Sequence, residues 1–281
     1  MKRVLDFWGD WLKKTTASTD VSPEKFKNLN NVAMHIIGGA IARQDKNVVE
    51  LIPILQQAAA SPQVNGEAVA QSLGILVKAN ELLTPESHAV VRRFYKQWAY
   101  THLVKPLYEL ARPTAENSLA ATRYSLAILS VVSNCQFTIY QDDLEPLIRL
   151  LVTALKSRSK ISEEAAQSHV ISALEILVEI ILNDSGALKG YVKEIVRGTT
   201  NVYQQSMPKK TLAQPVKPAI LTQSRKLALQ VLGAIPKTFE ERYTLQYAPP
   251  TQRMLAMACG DPVRKVREAA RSARANWAKV V

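Results

Sequence analysis

Arginines recur along one side of the last segment of the chain. Four of them follow one another at intervals of three, four and three residues: Arg264, Arg267, Arg271 and Arg274. This spacing aligns them along one side of an α-helix. A guanidinium group stays charged and presents its N–H donors in a planar fork that matches carboxylates and phosphates. The pattern therefore predicts a cationic surface, which we name the arginine stripe, that could bind acidic groups of a partner.

An apolar face lies beside the arginine stripe in the same segment. Its members recur at helical spacing and are Val263, Val266, Ala270, Ala273 and Trp277. Trp277 could pack inside the protein's own core, or it could fill a pocket on a partner. Lys265 and Lys279 lie on the outer side of the predicted helix. The segment is thus predicted to be an amphipathic helix with one buried face and one charged flank.

Two structural explanations compete with partner binding at this helix. In stacked helical repeats, an aspartate in a turn and an arginine on the second helix can form a ladder between neighbouring repeats, and Asp261 and Arg267 fit that arrangement. The other arginines have no such partner in the sequence and could form a solvated flank. As contacts with a partner we predict Arg264, Lys265, Arg271, Arg274 and Trp277.

A second group of basic and aromatic residues lies nearer the middle of the chain. It comprises Arg92, Arg93, Phe94, Tyr95, Lys96, Trp98, Tyr100, His102 and Lys105. Basic residues interleaved with aromatic rings could bind a nucleic-acid backbone and stack its bases. The simpler interpretation is that Phe94, Trp98 and Leu103, at helical spacing, belong to a buried face.

Catalytic and metal-binding patterns are absent from the sequence. There is no GxGxxG, P-loop, HExxH, GxSxG or CxxC motif. Cys135 and Cys259 lie far apart, and Gly38 and Gly39 fall within a predicted helix, where close packing explains them better than phosphate binding. The histidines are scattered over different predicted helices, at His35, His88, His102 and His169. We therefore predict a protein that is not an enzyme and has no cofactor or metal.

The elements that position these residues are predicted to be helices throughout. Apolar residues step by three and four over long stretches such as 144–155 and 170–182. Several starts are marked by Ser, Thr or Asp followed by Pro, which fits the first helical turn; they lie at 22–23, 61–62, 84–85 and 261–262. The predicted helices span 3–14, 23–43, 47–60, 64–80, 86–111, 116–133, 142–157, 162–182, 187–205, 219–235, 249–259 and 263–279.

Neighbouring helices form pairs that recur along the chain. First helices centred near residues 100, 150 and 196 lie about 45–50 residues apart, which fits the period of HEAT repeats. The next interval, to the first helix at 249–259, is longer because of residues 206–218, which contain three prolines and three lysines and are predicted to form a basic, Pro-rich loop. The sequence thus predicts an all-α HEAT-repeat superhelical solenoid, a single domain over residues 1–281 with five or six helix pairs.

The bulk composition agrees with a helical and basic protein. Apolar residues make up 47% and aromatic residues 6% of the chain, with 10 glycines among 281 residues, a mixture that suits packed helices. No uncharged apolar run approaches the ~18 residues of a membrane span. The first residues lack the apolar core of a secretion signal, so we expect an intracellular protein. The net charge of +12 favours anionic partners without choosing among nucleic acid, membrane and acidic protein.

The closing residues resemble those of a known family. They are the run DPVRKVREA at 261–269, the Ala-Arg pair at 273–274 and Trp277, preceded by 224–230, 234–236 and 245–249. They are similar to the extreme C-terminus of the large HEAT-repeat subunits of the cytosolic iron–sulfur cluster targeting complex. Residues 87–97 resemble a segment further upstream in that family, so the resemblance covers most of 85–279. The loop 206–218 has no counterpart in it.

The resemblance implies a function that composition alone does not. Members of this family are much longer and were first linked to nucleotide-excision repair and transcription. They bind apo iron–sulfur proteins of the cytoplasm and nucleus, including DNA helicases, polymerases and primase, and bring them to the assembly machinery. Their C-terminal repeats dock a DUF59-type carrier subunit and, through it, a WD40 propeller subunit. We therefore expect this chain to be the C-terminal domain of such a scaffold, with no membrane partner.

Other functions stay open on the sequence alone. A basic HEAT-repeat protein that grips DNA by phosphate contacts would carry a similar charge. A transport adaptor for basic signals would need acidic inner surfaces, and the net charge of +12 argues against it. A HEAT-type DNA glycosylase would need a catalytic carboxylate with aromatic residues around a base pocket, and no such set is readable. Direct binding of nucleic acid is the alternative that we keep.

Overall fold

The described part of the chain is helical. The structure, a computed structural model, describes residues 2–16, 22–62, 64–78, 91–112, 118–156, 161–208 and 216–280. These residues form α-helices, 3₁₀ segments and one π-helical turn, and they contain no strand. The repeated apolar spacing explains this result because each helix buries an apolar stripe against its neighbours. The predicted all-α class is confirmed.

Helices of very different length follow one another along the chain. The α-helices are α1 Lys2–Thr16, α2 Pro23–Ala42, α3 Ile52–Ala60, α4 Val64–Ser72, α5 Tyr95–Ala99, α6 Leu107–Leu110, α7 Ser118–Val132, α8 Phe137–Tyr140, α9 Leu144–Lys156, α10 Glu163–Asn183, α11 Val192–Gln205, α12 Pro218–Thr238, α13 Glu241–Thr244, α14 Ala248–Ala258 and α15 Arg264–Trp277. The 3₁₀ segments are Lys46–Leu51, Leu73–Leu76, Gln141–Asp143, Ser185–Tyr191 and Leu245–Tyr247. The π turn is Tyr100–Val104. Most of the longer helices agree with the predicted spans to within a few residues at each end.

The helices group into two compact units. Unit 1 comprises residues 1–142 and 159–165, and unit 2 comprises residues 143–158 and 166–281. The single domain over residues 1–281 stays a prediction.

The core of unit 1 includes the long helix α2. This helix packs against α1 and α4, and α4 packs in turn against α7. Its start follows the predicted signal, because Ser22 Oγ accepts a hydrogen bond from Lys25 N at 3.4 Å. Phe26 is fully buried and stacks on Trp11 of α1 with ring centroids 5.3 Å apart. The aromatic contact joins the first two helices of the unit.

One of the two adjacent glycines of α2 has a packing role. A Cβ added at Gly38 would lie 3.3 Å from Leu76 Cα, whereas a Cβ at Gly39 would meet nothing within 4 Å. The backbone of α2 therefore approaches the 3₁₀ segment that follows α4 more closely than a larger residue would allow. The prediction of close helix packing is confirmed for Gly38.

The prediction of one helix over 86–111 is wrong. In the described part of this range, two short helices flank the π turn. Pro106 explains the break, because it has no N–H to donate to the carbonyl four residues earlier and its ring crowds that carbonyl. The preceding residue, Lys105, donates from its backbone N to Tyr100 O, five residues back, at 3.1 Å. This longer bond widens the helix into the π turn.

Unit 2 contains helix pairs in chain order. The first helices are α9, α11 and α14, and each is followed by a longer helix, α10, α12 or α15. A Cβ at Gly198 of α11 would lie 2.7 Å from Leu155 Cβ of α9, so these first helices are in close contact. Helix α12 packs on both α11 and α15. The pairs thus stack in the manner that the sequence period predicts.

Helix α10 is long and apolar enough to cross a membrane by length and composition. Half of its most apolar window is buried inside the protein. The buried residues include Ala173, Leu174, Leu177 and Ile181. Its start is capped by Ser162, whose Oγ accepts a hydrogen bond from Ala165 N at 3.3 Å. We therefore assign α10 to the protein core.

Some predicted features lie outside the described residues. They are the helix start at 84–85, His88 and most of the basic loop, residues 209–215. At the borders of that loop, Ser206 and Val216 are both buried. The role of the loop therefore stays open.

Candidate partner-binding surface

Helix α15 is held in unit 2 by its apolar face. Four of the five predicted members of that face are exposed by at most 1%, namely Val266, Ala270, Ala273 and Trp277. The helix packs on α12 and α14. The predicted amphipathic helix is therefore confirmed, and its other sides are left for solvent or for a partner.

Trp277 is a core residue, and the predicted contact of this side chain with a partner is wrong. Its indole Nε1 donates to Leu232 O at 2.7 Å, and the side chain is fully buried. Leu232 O is free to accept because Pro236, four residues later in α12, has no N–H. Asn276 Nδ2 donates likewise to the next carbonyl, Gly233 O, at 2.8 Å. The end of α15 thus completes the hydrogen bonding of α12.

Small residues also bring α12 and α15 into direct contact near these hydrogen bonds. A Cβ added at Gly233 would lie 3.1 Å from both Cα and Cβ of Ala273, which is tighter than ordinary van der Waals contact. Small side chains at a helix contact bring the two backbones together and restrict how one helix can rotate on the other. The orientation of α15 is therefore set along its whole C-terminal half.

A buried ion pair fixes the other end of α15. Arg225 of α12 and Asp261, in the turn before α15, are each 2% exposed, and Arg225 Nε lies 2.9 Å from Asp261 Oδ2. Arg225 Nη1 also donates to Ser206 O at 2.6 Å. The other carboxylate oxygen, Asp261 Oδ1, accepts from Val263 N at 2.9 Å. Such additional hydrogen bonds are what a buried charge pair requires.

This ion pair corrects the predicted ladder. Arg267, the predicted partner of Asp261, donates from Nη1 to the backbone oxygens of Asp261 and Pro262 at 2.8 and 3.0 Å. The carboxylate pairs instead with Arg225, 36 residues earlier. Tyr203 OH also donates to Asp261 Oδ2 at 3.4 Å. Burial, together with this carboxylate, raises the pKa of Tyr203 to about 12. A ladder between helix pairs exists, and it uses a different arginine.

The remaining members of the arginine stripe are exposed. Arg264 Nε lies 2.8 Å from Glu268 Oε1, but both side chains are more than half exposed, so this ion pair contributes little stability. Within the described ranges, Arg271 and Arg274 form no ion pair. Arg274 borders a shallow recess of about 450 Å³ together with Arg253 of α14. The structure therefore brings several cations together on this flank.

The first turn of α15 is cationic, which is unfavourable at a helix N-terminus. It contains Arg264, Lys265 and Arg267 and no acidic residue. The N-terminus of a helix carries a partial positive charge, so a cation there costs roughly 0.3–1 kcal/mol. An anionic group placed against this end would relieve the repulsion.

Lys265 lies on the opposite flank of α15 from the arginine stripe. There it borders a groove of about 540 Å³ between α12 and α15, which Lys226 and Lys237 of α12 and Leu182 at the end of α10 also line. The five predicted contact residues thus do not form one surface. The groove was not predicted from the sequence, although Lys226 and Lys237 are eleven residues apart, a spacing of about three helical turns that aligns them.

The second basic and aromatic cluster does not form a continuous aromatic surface. Tyr100 and Leu103 are buried, and Trp98 is half-buried and stacks on His102 with ring centroids 4.5 Å apart. Phe94 is 62% exposed, so its predicted burial is wrong. The physical reason is that the residues before α5 are not helical, and the helical spacing does not apply to them.

Titratable side chains in the described residues are scattered. No group of three or more His, Cys, Asp or Glu in that part of the chain could hold a metal ion. His169 is buried in α10, and burial lowers the pKa of His169 to about 4, so it is neutral at physiological pH. Neither Cys135 nor Cys259 is part of a disulfide. The described surface therefore offers charge and shape for binding.

The sequence matches a family of regulatory proteins. Residues 2–236 match the MMS19 C-terminal family, described as RNAPII transcription regulator C-terminal. The chain is 24% identical over 251 residues to the MMS19 nucleotide excision repair protein homolog of Arabidopsis thaliana. This match covers 86% of the chain and 21% of the relative, so the chain spans about a fifth of that protein's length. Helices α14 and α15 lie beyond the family match but within the described structure.

Solved structures share the fold. The crystal structure of an engineered protein is similar with a TM-score of 0.55 and 12% identity, over 99% of this chain and 98% of that one. A second engineered protein gives a TM-score of 0.50 and 13% identity, over 96% and 97% of the two chains. The fold is an all-α solenoid, as predicted. Because the family match covers 235 of the 281 residues, this chain belongs to the MMS19 C-terminal family of RNAPII transcription regulators.

Proposed function

We propose that this chain is a non-enzymatic scaffold domain in the assembly of cytosolic iron–sulfur proteins. It docks the carrier subunits of the targeting complex, so that apo iron–sulfur proteins of DNA repair, replication and transcription receive their clusters. Its partners are the DUF59-type carrier subunit, the WD40 propeller subunit bound to that carrier, and the apo proteins themselves. The domain acts in the cytoplasm and in the nucleus, through protein contacts.

The observation that carries this proposal is the two-sided character of α15. Its inner face is fixed by the buried Arg225–Asp261 pair and by the Trp277 hydrogen bond. Its outer flank presents Arg271 and Arg274 to solvent. A rigid helix that holds cations without neutralising them is suited to orienting an acidic partner surface.

The energetics of the exposed flank favour an anionic protein partner. The cationic first turn of α15 lowers the stability of the free helix, and a carboxylate from a partner would reverse that effect. Arginine also occurs often among the residues that dominate interface energies. Since Trp277 is in the core, an apolar contact with the partner must come from another side chain. Met257 of α14 is 70% exposed and follows Ala256, which borders the recess beside Arg274.

Family membership supplies the biological context of the proposal. The family is described as a transcription regulator, and the Arabidopsis relative is named a nucleotide excision repair protein homolog. The resemblance of residues 261–277 to the targeting-complex scaffolds adds the iron–sulfur step. A scaffold that serves apo repair and transcription enzymes connects these two descriptions.

Capture of purified subunits tests the docking role. The immobilised chain is incubated with the carrier and propeller subunits, and the retained fraction is measured over a range of concentrations. The variant Arg271→Glu/Arg274→Glu should bind at least about tenfold more weakly, because reversed charges repel the partner surface. The control variant Lys156→Glu/Lys193→Glu changes two exposed lysines of α9 and α11 and makes the same change in net charge. It should bind like the parent.

Two results would count against the proposal in different ways. Equal binding by the parent and the arginine variant would remove the arginine stripe from the interface. No retention of either subunit by the parent chain would remove the docking role itself.

Direct binding of DNA is the alternative that the net charge of +12 supports. It predicts that labelled duplex DNA binds with an affinity that falls steeply with salt, by a logarithmic slope of about −0.9 per phosphate contacted.

A further inference from the structure

The groove between α12 and α15, which we name the basic groove, has two parallel helices as its walls. Arg225 near the start of α12 contacts Asp261 just before α15, and Gly233 further along α12 contacts Ala273 further along α15. Both contacts advance in the same direction, so the two helices run side by side. Because Gly233 and Ala273 are small, the helices meet at the floor and leave a continuous trough above it.

The charge of the basic groove is positive and unbalanced. Lys226, Lys237 and Lys265 line it and are exposed, against one carboxylate, Glu268. That carboxylate is already engaged, since Glu268 Oε1 lies 2.8 Å from Arg264 Nε. In the described structure none of the three lysines forms an ion pair. A ligand with two or more negative charges would complement this trough.

Apolar and amide groups accompany the lysines. Leu182 at the end of α10 is 71% exposed, and the half-buried Ala234 of α12 lines the trough, whereas Leu229 is buried beneath its surface. Gln230, also on this face, offers an amide that can pair with a peptide backbone. The lining contains no aromatic residue, so it has no ring on which a nucleic-acid base could stack. The chemistry therefore favours a peptide over nucleic acid.

The length of the trough sets the length of its ligand. Lys226 and Lys237 are eleven residues apart, which corresponds to about 16 Å along a helix. An extended peptide advances about 3.3 Å per residue. About five residues therefore bridge the two lysines, with a carboxylate near each end and an apolar side chain between them.

We propose that the basic groove binds an extended acidic segment of a partner protein, about five or six residues long, with carboxylates toward both ends and an apolar side chain between them. The groove lies on the flank of α15 opposite the arginine stripe. This binding mode therefore does not depend on the docking role proposed above. It gives the domain a second contact for proteins that carry such a segment.

Fluorescence anisotropy with a defined peptide tests the proposal. The probe is a fluorescein-labelled peptide Gly-Asp-Glu-Leu-Glu-Asp-Gly, titrated with the whole chain at low ionic strength. Lys226→Glu/Lys237→Glu should weaken binding at least about tenfold, because both ends of the peptide lose their counter-charge. Lys156→Glu/Lys193→Glu, with the same change in net charge on other helices, should leave the affinity unchanged. A peptide with Asn and Gln in place of the acids should not bind.

Each other outcome overturns the proposal. Equal weakening by both lysine variants would show that only net charge matters, and absence of peptide binding by the parent would show that the trough is not a peptide site. If an oligothymidylate at the same concentration of negative charge displaces the peptide, the groove binds polyanions in general and is not specific for a peptide. Circular dichroism of each variant must match the parent spectrum. Arg271→Glu/Arg274→Glu should still bind the peptide, so a failure of the docking role can be distinguished from a failure of the basic groove.

Discussion

Two arginines are buried in the described structure, one in each unit, and they differ in how completely their polar atoms are satisfied. In unit 2, Arg225 pairs with Asp261 and also donates to Ser206 O. In unit 1, Arg123 is 3% exposed and its Nη2 lies 3.1 Å from Glu67 Oε1, but its Nε and Nη1 have no hydrogen-bond partner. The same residue type is thus used in a complete network and in an incomplete one.

The difference indicates which arginine positions a functional surface. A buried N–H without an acceptor costs about 1–3 kcal/mol, so part of what Arg123 gains from Glu67 is lost again. The side chain of Glu67 is 12% exposed and it borders an open recess, which gives its carboxylate access to solvent. Arg225 has no such deficit, and its carboxylate partner lies directly before α15. The complete network therefore holds the helix that carries the arginine stripe and the basic groove.

Replacing each arginine by methionine should give the largest contrast. Arg225→Met leaves the buried Asp261 without its cation and should lower the free energy of unfolding of unit 2 by about 3–5 kcal/mol. Arg123→Met also removes two unsatisfied donors, and Glu67 Oε2 keeps its hydrogen bond from Ser162 N, so the loss in unit 1 should be about 1–3 kcal/mol smaller than in unit 2. Hydrogen exchange measured by mass spectrometry on α12 and α15, and separately on α4 and α7, reports the two effects.

The two variants serve as controls for each other because they make the same chemical change. A similar loss of protection in both units would mean that satisfaction of the guanidinium does not distinguish the pairs. Arg225→Met should also weaken capture of the carrier subunit, since α15 would lose its fixed start, whereas Arg123→Met should not.

A buried histidine should make unit 2 sensitive to acid. The pKa of His169 is lowered from 6.5 to about 4 in the folded protein. The unfolded chain therefore binds a proton below pH 6.5 that the folded chain binds only near pH 4, so stability falls as the pH falls through this interval. The expected loss is about 3 kcal/mol over the whole interval. Urea unfolding followed by the fluorescence of Trp277, with the tryptophans of unit 1 replaced by Phe, measures it.

His169→Gln removes the titration and keeps a polar side chain at the same position. Its unfolding free energy should change less between pH 6.5 and about 5, a range above that in which most carboxylates titrate. An unchanged pH dependence in this variant would assign the acid sensitivity to other groups. The prediction sharpens the contrast between the units because His169 belongs to unit 2.

The fold was predictable from sequence where local rules are sufficient. Apolar residues at steps of three and four predicted α9, α10 and α15, and the Ser-Pro pair at 22–23 predicted the start of α2, which Ser22 caps. The prediction over 86–111 failed because the effect of Pro106 outweighed an otherwise helical pattern. Such a break is readable in principle from the proline alone.

The candidate surface was less predictable because it depends on contacts between distant residues. The helical period predicted the apolar face of α15, but the partner of Asp261 is 36 residues away, and nothing in the sequence favours Arg225 over the nearer Arg267. The role of Trp277 depends on a carbonyl that Pro236 leaves free on another helix. The basic groove needs two helices side by side, so only the alignment of Lys226 with Lys237 is visible in the sequence.

The hydrogen bond of Trp277 allows a smaller effect to be isolated. Trp277→Phe leaves Leu232 O without its donor and should cost unit 2 about 2 kcal/mol. In a Pro236→Ala background, a backbone N–H returns at position 236 and can bond to Leu232 O, so the same change should cost about 1 kcal/mol less. Thermal unfolding of the four proteins of this double-mutant cycle gives the coupling energy. Strict additivity would contradict the role assigned to Pro236.

The close approach of α12 and α15 should give the smallest effect, and it can be compensated. Gly233→Ala places a methyl group 3.1 Å from Ala273 Cα and Cβ, and overpacking of this kind costs about 1–3 kcal/mol, while the gain in helix propensity returns up to about 1 kcal/mol. The net loss in unit 2 should be about 1 kcal/mol. Gly233→Ala/Ala273→Gly moves the methyl group from one helix to the other and should lose less than the sum of the two single changes. Urea unfolding of the three variants measures this, and a Gly233→Ala protein as stable as the parent would show that α15 can shift on α12. In that case the distance between the lysines on the two sides of the basic groove could change. The contrast between the two units would then depend only on the hydrogen bonds of Arg225, which are complete, and those of Arg123, which are not.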